Sequence, residues 1–563
     1  MHSRAGFLRS GLRLICRQQQ RLATVSRHIL KSPLPDVELP TLSVPEYVWQ
    51  HVDQWPNKVA LECGVTGRHY RYAEARELCR RFAASLRRAG LQPGSTLVTV
   101  MPNTAEWPII LLGAIEAGIV VSTFNPNFTA DELSRQLRDC EPKAIVTLST
   151  VLPKVQKAIA LAARQVKPLI VIAPGIEPGS HIPTGTVDFR EMIRDGIDTS
   201  DFRFTGNAED TAVLPYSSGT TGFPKGVMLS HRNIVSNIAQ HNDSPEISTC
   251  EPALGSHQDV LPVIMPFFHI YGISIMLLSK LAQGVKFVTL PRFEPNSFFK
   301  LLEEHQATVL YSAPPLILFL ASHPGVRPKY LQSLRRVVYA AAPLGSLDVE
   351  RFLRRAPPNT DVLQGYGMTE ASPSVSHTVI GSTNYDSVGV PVPNTEMKIV
   401  DAETRTDLPQ GEMGEICLRG PQVMKGYLNR PDATAEMIDR DGWLHTGDLG
   451  YYDKEGHFYV VDRLKELIKV KGFQVAPAEL EEILRSHPDI DDAAVIGVPD
   501  ERAGEVPRAF VVPKRSQISE EDVKKYVAEK VSEYKQLKGG VKFLTSVPKS
   551  PSGKILRRLL KSQ

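Results

Sequence analysis

The stretch Leu214-Pro-Tyr-Ser-Ser-Gly-Thr-Thr-Gly-Phe-Pro-Lys-Gly-Val-Met-Leu-Ser230 begins as a short apolar run and breaks into hydroxyls and glycines. Ala212 to Tyr216 reads as a buried strand, and His231 to His241 as a helix with Ser230 at its N-cap. Between them, Gly219 and Gly222 tolerate the backbone angles that turn N–H groups toward a polyphosphate. Ser217, Ser218, Thr220 and Thr221 add hydroxyl donors, and Lys225 adds a movable positive charge. The segment is not a Walker A sequence, because no Gly immediately precedes Lys225 and no Ser or Thr follows it. Taken alone, the stretch also reads as a plain surface loop, since Ser, Thr and Gly are ordinary loop residues.

Outward from this loop, helix-like and strand-like segments alternate. Tyr72 to Ala89 is an amphipathic helix ended by Gly90, Thr96 to Met101 a strand, and Ala144 to Leu148 another. Such alternation predicts an α/β body of parallel or mixed sheets covered by helices. Past residue 385 the pieces become short and strand-like, as in Met397 to Asp401 and Glu415 to Leu418, which adds a β-barrel-like subdomain. From about 463 a small α+β unit begins, with a helix at Ala478 to Ser486 and strands at Ala493 to Val498 and Arg508 to Val512. The predicted organisation is a leader over 1–31, a body over 36–461 and a C-terminal domain over 463–563.

Composition narrows the classes. Of the 563 residues, 42% are hydrophobic and 23% charged, as in an ordinary globular protein, and the net charge of +3 is too mild for a nucleic-acid partner. The six cysteines (Cys16, Cys63, Cys79, Cys140, Cys250 and Cys417) show no C-x-x-C spacing, which fits neither a zinc framework nor a disulfide framework. Trp107 to Phe124 is the longest apolar stretch, but Glu116 and two glycines make it a buried helix rather than a membrane span. The leader carries Arg4, Arg9, Arg13, Arg17, Arg21, Arg27 and Lys31 with no acid before Asp36. With Phe7, Leu8, Leu12, Leu14 and Ile15 at roughly helical spacing, it reads as a mitochondrial transit peptide, against a disordered basic tail.

Several other stretches carry chemistry. Met265-Pro-Phe-Phe-His-Ile-Tyr-Gly272 sets His269 among aromatics, as a core histidine or a functional one. In Gln364-Gly-Tyr-Gly-Met-Thr-Glu370 the glycines admit a planar ligand, and Thr369 and Glu370 offer oxygens to a hard cation such as magnesium. Asp448, in His445-Thr-Gly-Asp-Leu-Gly450, is a turn residue or an acceptor for a ribose diol. Asp462-Arg-Leu-Lys-Glu-Leu-Ile-Lys-Val-Lys-Gly472 and Pro551-Ser-Gly-Lys-Ile-Leu-Arg-Arg558 read by themselves as a solvated segment and a basic tail.

Six such motifs in this order give the chain a resemblance to the adenylate-forming superfamily of acyl-CoA synthetases, peptide-synthetase adenylation domains and beetle luciferases. It is most similar to the 4-coumarate–CoA ligase and luciferase branch, on Tyr216-Ser-Ser-Gly-Thr-Thr-Gly222, Gly365-Tyr-Gly-Met-Thr-Glu370, Gly472-Phe-Gln-Val-Ala-Pro-Ala-Glu-Leu-Glu481 and Pro551-Ser-Gly-Lys554. The resemblance implies that a carboxylic acid attacks ATP, giving an acyl-adenylate and pyrophosphate, and that the CoA thiol then displaces AMP. It assigns Ser217, Ser218, Gly219, Thr220, Thr221 and Lys225 to the phosphates, and Thr369 and Glu370 to phosphate and magnesium. Gln364, Gly365 and Tyr366 would frame adenine, Asp448 and Arg463 would hold the ribose, and Lys469 would also belong to the ATP site. Lys554 would be the catalytic lysine of the first half-reaction, a role that makes sense where two anions meet. Asp462 would be the hinge of a mobile C-terminal domain, which in the second half-reaction brings Lys471 and Gly472 over the site for CoA. His269 would gate the acyl channel, and Arg292 would lie near CoA.

By the same resemblance, Ile270, Tyr271, Ile275, Val338, Ala341, Ser372 and Pro373 line the acyl pocket. None is cationic, so an apolar-tailed acid is expected: a medium-chain fatty acid first, with an aryl acid like 4-coumarate as the alternative. Ile275 stands where the plant ligases often have a small residue, and Tyr339-Ala340 replaces their usual Ser-Gly; both are expected to reshape the pocket. A luciferase-like oxygenase and a carrier-loading enzyme would use the same adenylate, while a non-enzymatic nucleotide sensor would be expected to lack Lys554 or Glu370, which are both present.

Overall fold

The computed structural model describes residues 28–173, 182–200, 202, 204–217, 224–342, 344–471, 473–514, 518–550 and 553–561. Its centre is an eight-stranded sheet in the order Gly426–Tyr427, Lys225–Ser230, Thr211–Ser217, Val120–Phe124, Thr96–Val100, Ala144–Leu148, Leu169–Ile172 and Val187–Asp188. From Thr211–Ser217 onward the neighbours run parallel, as strands alternating with helices require. The helix Trp107–Glu116 is buried at every residue, which explains why its sequence shows no polar face. Its Glu116 is neutralised by Arg76 at 2.7 Å, and Trp107 stacks on Phe267 with ring centroids 5.1 Å apart. Among the described residues no helix is long and apolar enough to cross a membrane.

Two further mixed sheets complete the α/β body. One runs Val260–Val263, Lys286–Thr289, Val59–Cys63 and His69–Arg71; the other runs Val309–Ser312, Arg336–Tyr339, Asp361–Gly367, Ser374–His377 and Val390–Pro391. The short pieces past residue 385 form an antiparallel five-stranded sheet, the half-barrel anticipated from the sequence. Its order is Leu30–Lys31, Glu396–Val400, Gly414–Arg419, Leu444–Tyr452 and Phe458–Arg463. The small unit after it has its own sheet, built on the long pair Ile490–Asp500 and Gly504–Pro513, and its own apolar core.

Two expectations change. Leu30 and Lys31, the end of the expected leader over 1–31, pair with Met397 and Glu396 and close the edge of the half-barrel, so the folded chain begins before residue 31. The glycine-rich loop was expected to lead from a strand toward a helix. Instead Lys225–Ser230 is itself a strand, antiparallel to Thr211–Ser217, and Lys225 stands opposite Ser217. The alternation of Val227 and Leu229, both buried, is the period-two signal that marks it.

Candidate active site

Lys225 is placed by the hairpin at the mouth of the loop; Ser218, Gly219, Thr220 and Thr221 lie outside the described residues. The Lys225 ammonium sits 4.8 Å from the centre of the Tyr427 ring, and the Tyr427 hydroxyl donates to Glu370 Oε1 at 2.7 Å. Desolvation, with the Glu370 charge beside it, holds that phenol well above its usual range, so it stays a donor. Among the described residues Oε1 is the Glu370 oxygen with a hydrogen-bond partner, and half-buried Thr369 lies beside it on the turn Thr369–Ala371. Glu370, with Thr369 next to it in sequence, offers the hard oxygen donors that magnesium on a polyphosphate takes.

The strand Asp361–Gly367 carries the next residues. Gln364 is buried with its amide 2.9 Å from the Tyr339 hydroxyl, and with its nitrogen turned inward it donates to the carbonyls of Ser387 and Tyr385 at 3.2 Å. Gly365 and Tyr366 are half-buried. A Cβ on Gly367 would lie 2.0 Å from the Pro373 carbonyl oxygen, so this glycine is required by the chain's own backbone rather than by a ligand.

Tyr366 donates to Asp448 Oδ2 at 2.7 Å, and Arg463 Nε lies 3.3 Å from Asp448 Oδ1 because the two residues are opposed in the pair Leu444–Tyr452 and Phe458–Arg463. Burial raises the Asp448 carboxyl above its usual value, opposed by the Arg463 and Lys554 charges. Lys554 arrives from the small domain. Desolvation, with Arg463 adding repulsion, lowers its ammonium to about 8, while Glu466 and Asp448 pull the other way. Its loop is docked on the body: a Cβ on Gly553, which has φ +84°, would come within 3.0 Å of Pro315 Cδ.

Asp462, next to last in its strand, has both carboxylate oxygens engaged, taking the Arg463 N–H at 2.7 Å and the Ala478 N–H at 2.9 Å. Sequence reasoning missed what stands beneath it. Arg557 bonds Glu466 at 2.7 Å and Glu481 at 2.8 Å, and its charge reaches Asp462 and Lys554. The signal was present in the charged run Lys554 to Arg558. Tyr427 was also missed, and no motif marks it.

On the acyl side, His269 is half-buried, its Nδ1 accepts the Tyr271 N–H at 3.3 Å, and desolvation lowers its pKa to about 4, so it is neutral. Ile270, Tyr271, Ile275 and Val338 belong to one apolar cluster, and the Tyr271 hydroxyl donates to the Val338 carbonyl at 3.4 Å. Ile275 lies in a π-helix, Gly272–Leu278, a local geometry that often marks functional sites and that periodicity did not reveal. Ala341 is exposed with φ +77°, a strained angle for a residue with a Cβ, and Pro373 is buried.

Two pocket expectations are corrected. Ser372 is fully buried and its hydroxyl donates to the Gln422 carbonyl at 2.8 Å, so it anchors a loop. Tyr339 joins the apolar cluster on the sheet face opposite Val338, as strand alternation dictates, and its hydroxyl meets Gln364; it acts on the Gln364 side rather than on the acyl pocket. Arg292, Lys469 and Lys471 are exposed and are not gathered with Asp448. Lys471 faces Asp500 and Glu533 of the small domain, and Gly472 lies outside the described residues.

The model of the AMP-binding enzyme family matches residues 48–428, and that of the AMP-binding enzyme C-terminal domain matches residues 479–554. The chain is 40% identical over 546 residues to 4-coumarate–CoA ligase 3 of Arabidopsis thaliana, covering 95% of this chain and 94% of that one. It is 40% identical over 544 residues to 4-coumarate–CoA ligase 1 of Solanum tuberosum, covering 95% and 96%. Among solved structures it is similar to ATP-bound MatB from Rhodopseudomonas palustris (28% identity, 93% and 99% covered, TM-score 0.82). It is also similar to a benzoate CoA ligase from Burkholderia xenovorans LB400 (25% identity, 92% and 100% covered, TM-score 0.81). With a lysine of the small domain whose charge reaches buried Asp448 and its partner Arg463, and with matches along both units, the chain belongs to the AMP-binding enzyme family.

Proposed function

We propose that the protein is an AMP-forming acid–CoA ligase: it condenses a carboxylic acid with ATP to an acyl-adenylate and pyrophosphate, then passes the acyl group to CoA and releases AMP. The observation that carries this reading is the packing of the Gly553–Lys554 loop on the body at Pro315, which brings the Lys554 charge within reach of Asp448 and Arg463. Asp448 accepts from the ribose hydroxyls while Tyr366 and Arg463 hold it in place. Gln364, Gly365 and Tyr366 frame the adenine, and Lys225 with the hydroxyl loop orients the polyphosphate. Magnesium, when bound at Glu370 and Thr369, neutralises phosphate charge. Lys554 offsets the repulsion between carboxylate and α-phosphate, where the barrier is highest. Asp462 is the hinge that withdraws Lys554 and presents Lys471 to CoA. His269, neutral and half-buried, closes the acyl channel without adding charge.

For the acid, an aryl substrate of the 4-coumarate kind has better support than the medium-chain fatty acid expected from the sequence. Three of the four proteins named above are 4-coumarate or benzoate ligases, and Tyr339, expected to reshape the pocket, lies on the sheet face opposite Val338. ATP–pyrophosphate exchange over cinnamates, benzoates and C4 to C18 fatty acids, with AMP release measured with and without CoA, tests both steps. Thioester formation with cinnamates supports the aryl reading; exchange restricted to fatty acids overturns it, and exchange without CoA-dependent thioester moves the second step to another acceptor. Mitochondrial residence remains a proposal resting on the arginine-rich, acid-free leader. A fluorescent fusion that stays outside mitochondria would sink it.

A further inference from the structure

Away from the nucleotide cleft, the half-barrel gathers three kinds of metal-ligating side chain. Glu415 and Cys417 are two apart on Gly414–Arg419 and so share a face; Cys417 stands opposite His445 on the paired strand. Cys417 Sγ lies 3.2 Å from His445 Nδ1, which lies 3.0 Å from Glu415 Oε2, and all three ligand atoms fall within 4.8 Å of one another. Glu415 is 4% exposed and Cys417 0%. These separations are slightly below the edges of a tetrahedron drawn with ordinary zinc bond lengths, roughly 3.3–3.6 Å.

The surroundings orient the imidazole for such a role. His445 Nε2 lies 3.3 Å from Asp439 Oδ2, the carboxylate partner that commonly fixes a ligating histidine. With the proton on Nε2, the Nδ1 lone pair faces the Glu415 carboxylate, and two acceptors that close need a cation between them. Here that cation is the guanidinium of Arg405, whose Nη1 is 2.6 Å from Nδ1 and also bonds Glu415 Oε2. Arg405 reaches in from a turn with φ +60°, and its side chain is 54% exposed, so it is free to leave.

We propose that Glu415, Cys417 and His445 form a binding site for a borderline-soft divalent cation, zinc above all, which displaces the Arg405 guanidinium. The Cys417 thiol gives its proton to solvent as the sulfur–metal bond forms, and water takes the fourth position from the side that Arg405 vacates. The sulfur ligand separates this site from the hard-oxygen magnesium position at Glu370. The cation braces the strand that carries the nucleotide aspartate, because Glu415 Oε1 also accepts the Gly447 N–H at 3.0 Å, next to Asp448.

Titration of the untagged full chain with cobalt(II) tests this by absorbance. One equivalent should give the intense visible bands of four-coordinate cobalt and a near-ultraviolet thiolate charge-transfer band, both reversed by zinc. Cys417→Ser should remove the charge-transfer band, and His445→Gln should remove both. Arg405→Gln, at a half-exposed side chain that threatens the fold least, should bind cobalt roughly fivefold tighter, the worth of an ion pair no longer displaced. No band at stoichiometric cobalt, a charge-transfer band that survives Cys417→Ser, or an unchanged affinity in Arg405→Gln would each overturn the site.

Discussion

At the scale of single residues, Lys554 makes the sharpest prediction. Its ammonium is lowered to about 8, and in the role proposed for it acts charged, so kcat/KM for adenylate formation should be flat below that pH and fall above it. Lys554→Arg, whose guanidinium stays charged, should lose the alkaline limb even if slower overall. Lys554→Ala should lose about 100- to 1000-fold in pyrophosphate exchange, the usual cost of removing a contact to developing charge. Tyr427→Phe removes the donor to Glu370 while keeping the ring under Lys225. Losing a hydrogen bond to a charged group predicts about tenfold lower kcat/KM for magnesium-ATP, measured by exchange against ATP. His269, already neutral from about pH 4 upward, should add no limb of its own between pH 5 and 8.

At the scale of elements, the loop at Gly553 is where one domain meets the other. Its φ of +84° disfavours any side chain, and a methyl there would press on Pro315. Gly553→Ala should therefore slow the first half-reaction, which needs Lys554 docked. It should leave thioester formation from supplied acyl-adenylate much less affected, which a two-stage assay separates. Equal slowing of both steps would mean that the contact serves general stability and not the docked state. The hairpin that presents Lys225 and the π-helix that carries Ile275 are likewise element-scale devices: each sets a side chain by backbone geometry rather than by residue type.

At the scale of the whole molecule, Arg557 ties the small domain together next to Asp462, the proposed hinge. Glu481 is almost wholly buried, and burial raises its carboxyl despite Arg557. Arg557→Met strands that carboxylate and should cost about 3–5 kcal/mol of stability, read by urea denaturation of the full chain. Adding Glu481→Gln should recover a large part of the loss, since the stranded charge is then gone. Because the same guanidinium reaches Asp462 and Lys554, the single variant should also alter the balance between the two half-reactions.

The sequence by itself determined the α/β body and the separate small domain, because those rest on local signals, and it named the candidate nucleotide residues. Alternating apolar periods name the strands and helices, and Gly, Ser, Thr and Lys in fixed order name a phosphate loop wherever the chain carries them. What only the tertiary structure decided depends on partners distant in sequence. Tyr427 meets Glu370 across 57 residues, and Arg557 reaches Glu466 across 91. Which face Tyr339 occupies followed from the registry of a buried strand, and Ser372 was claimed by a carbonyl 50 residues away. The edge strand Leu30–Lys31, too short to leave a period, became visible only against the strand it pairs with. Local pattern fixes which elements form; which side chains share a cleft is set by how those elements pack, and that is not written in any one stretch.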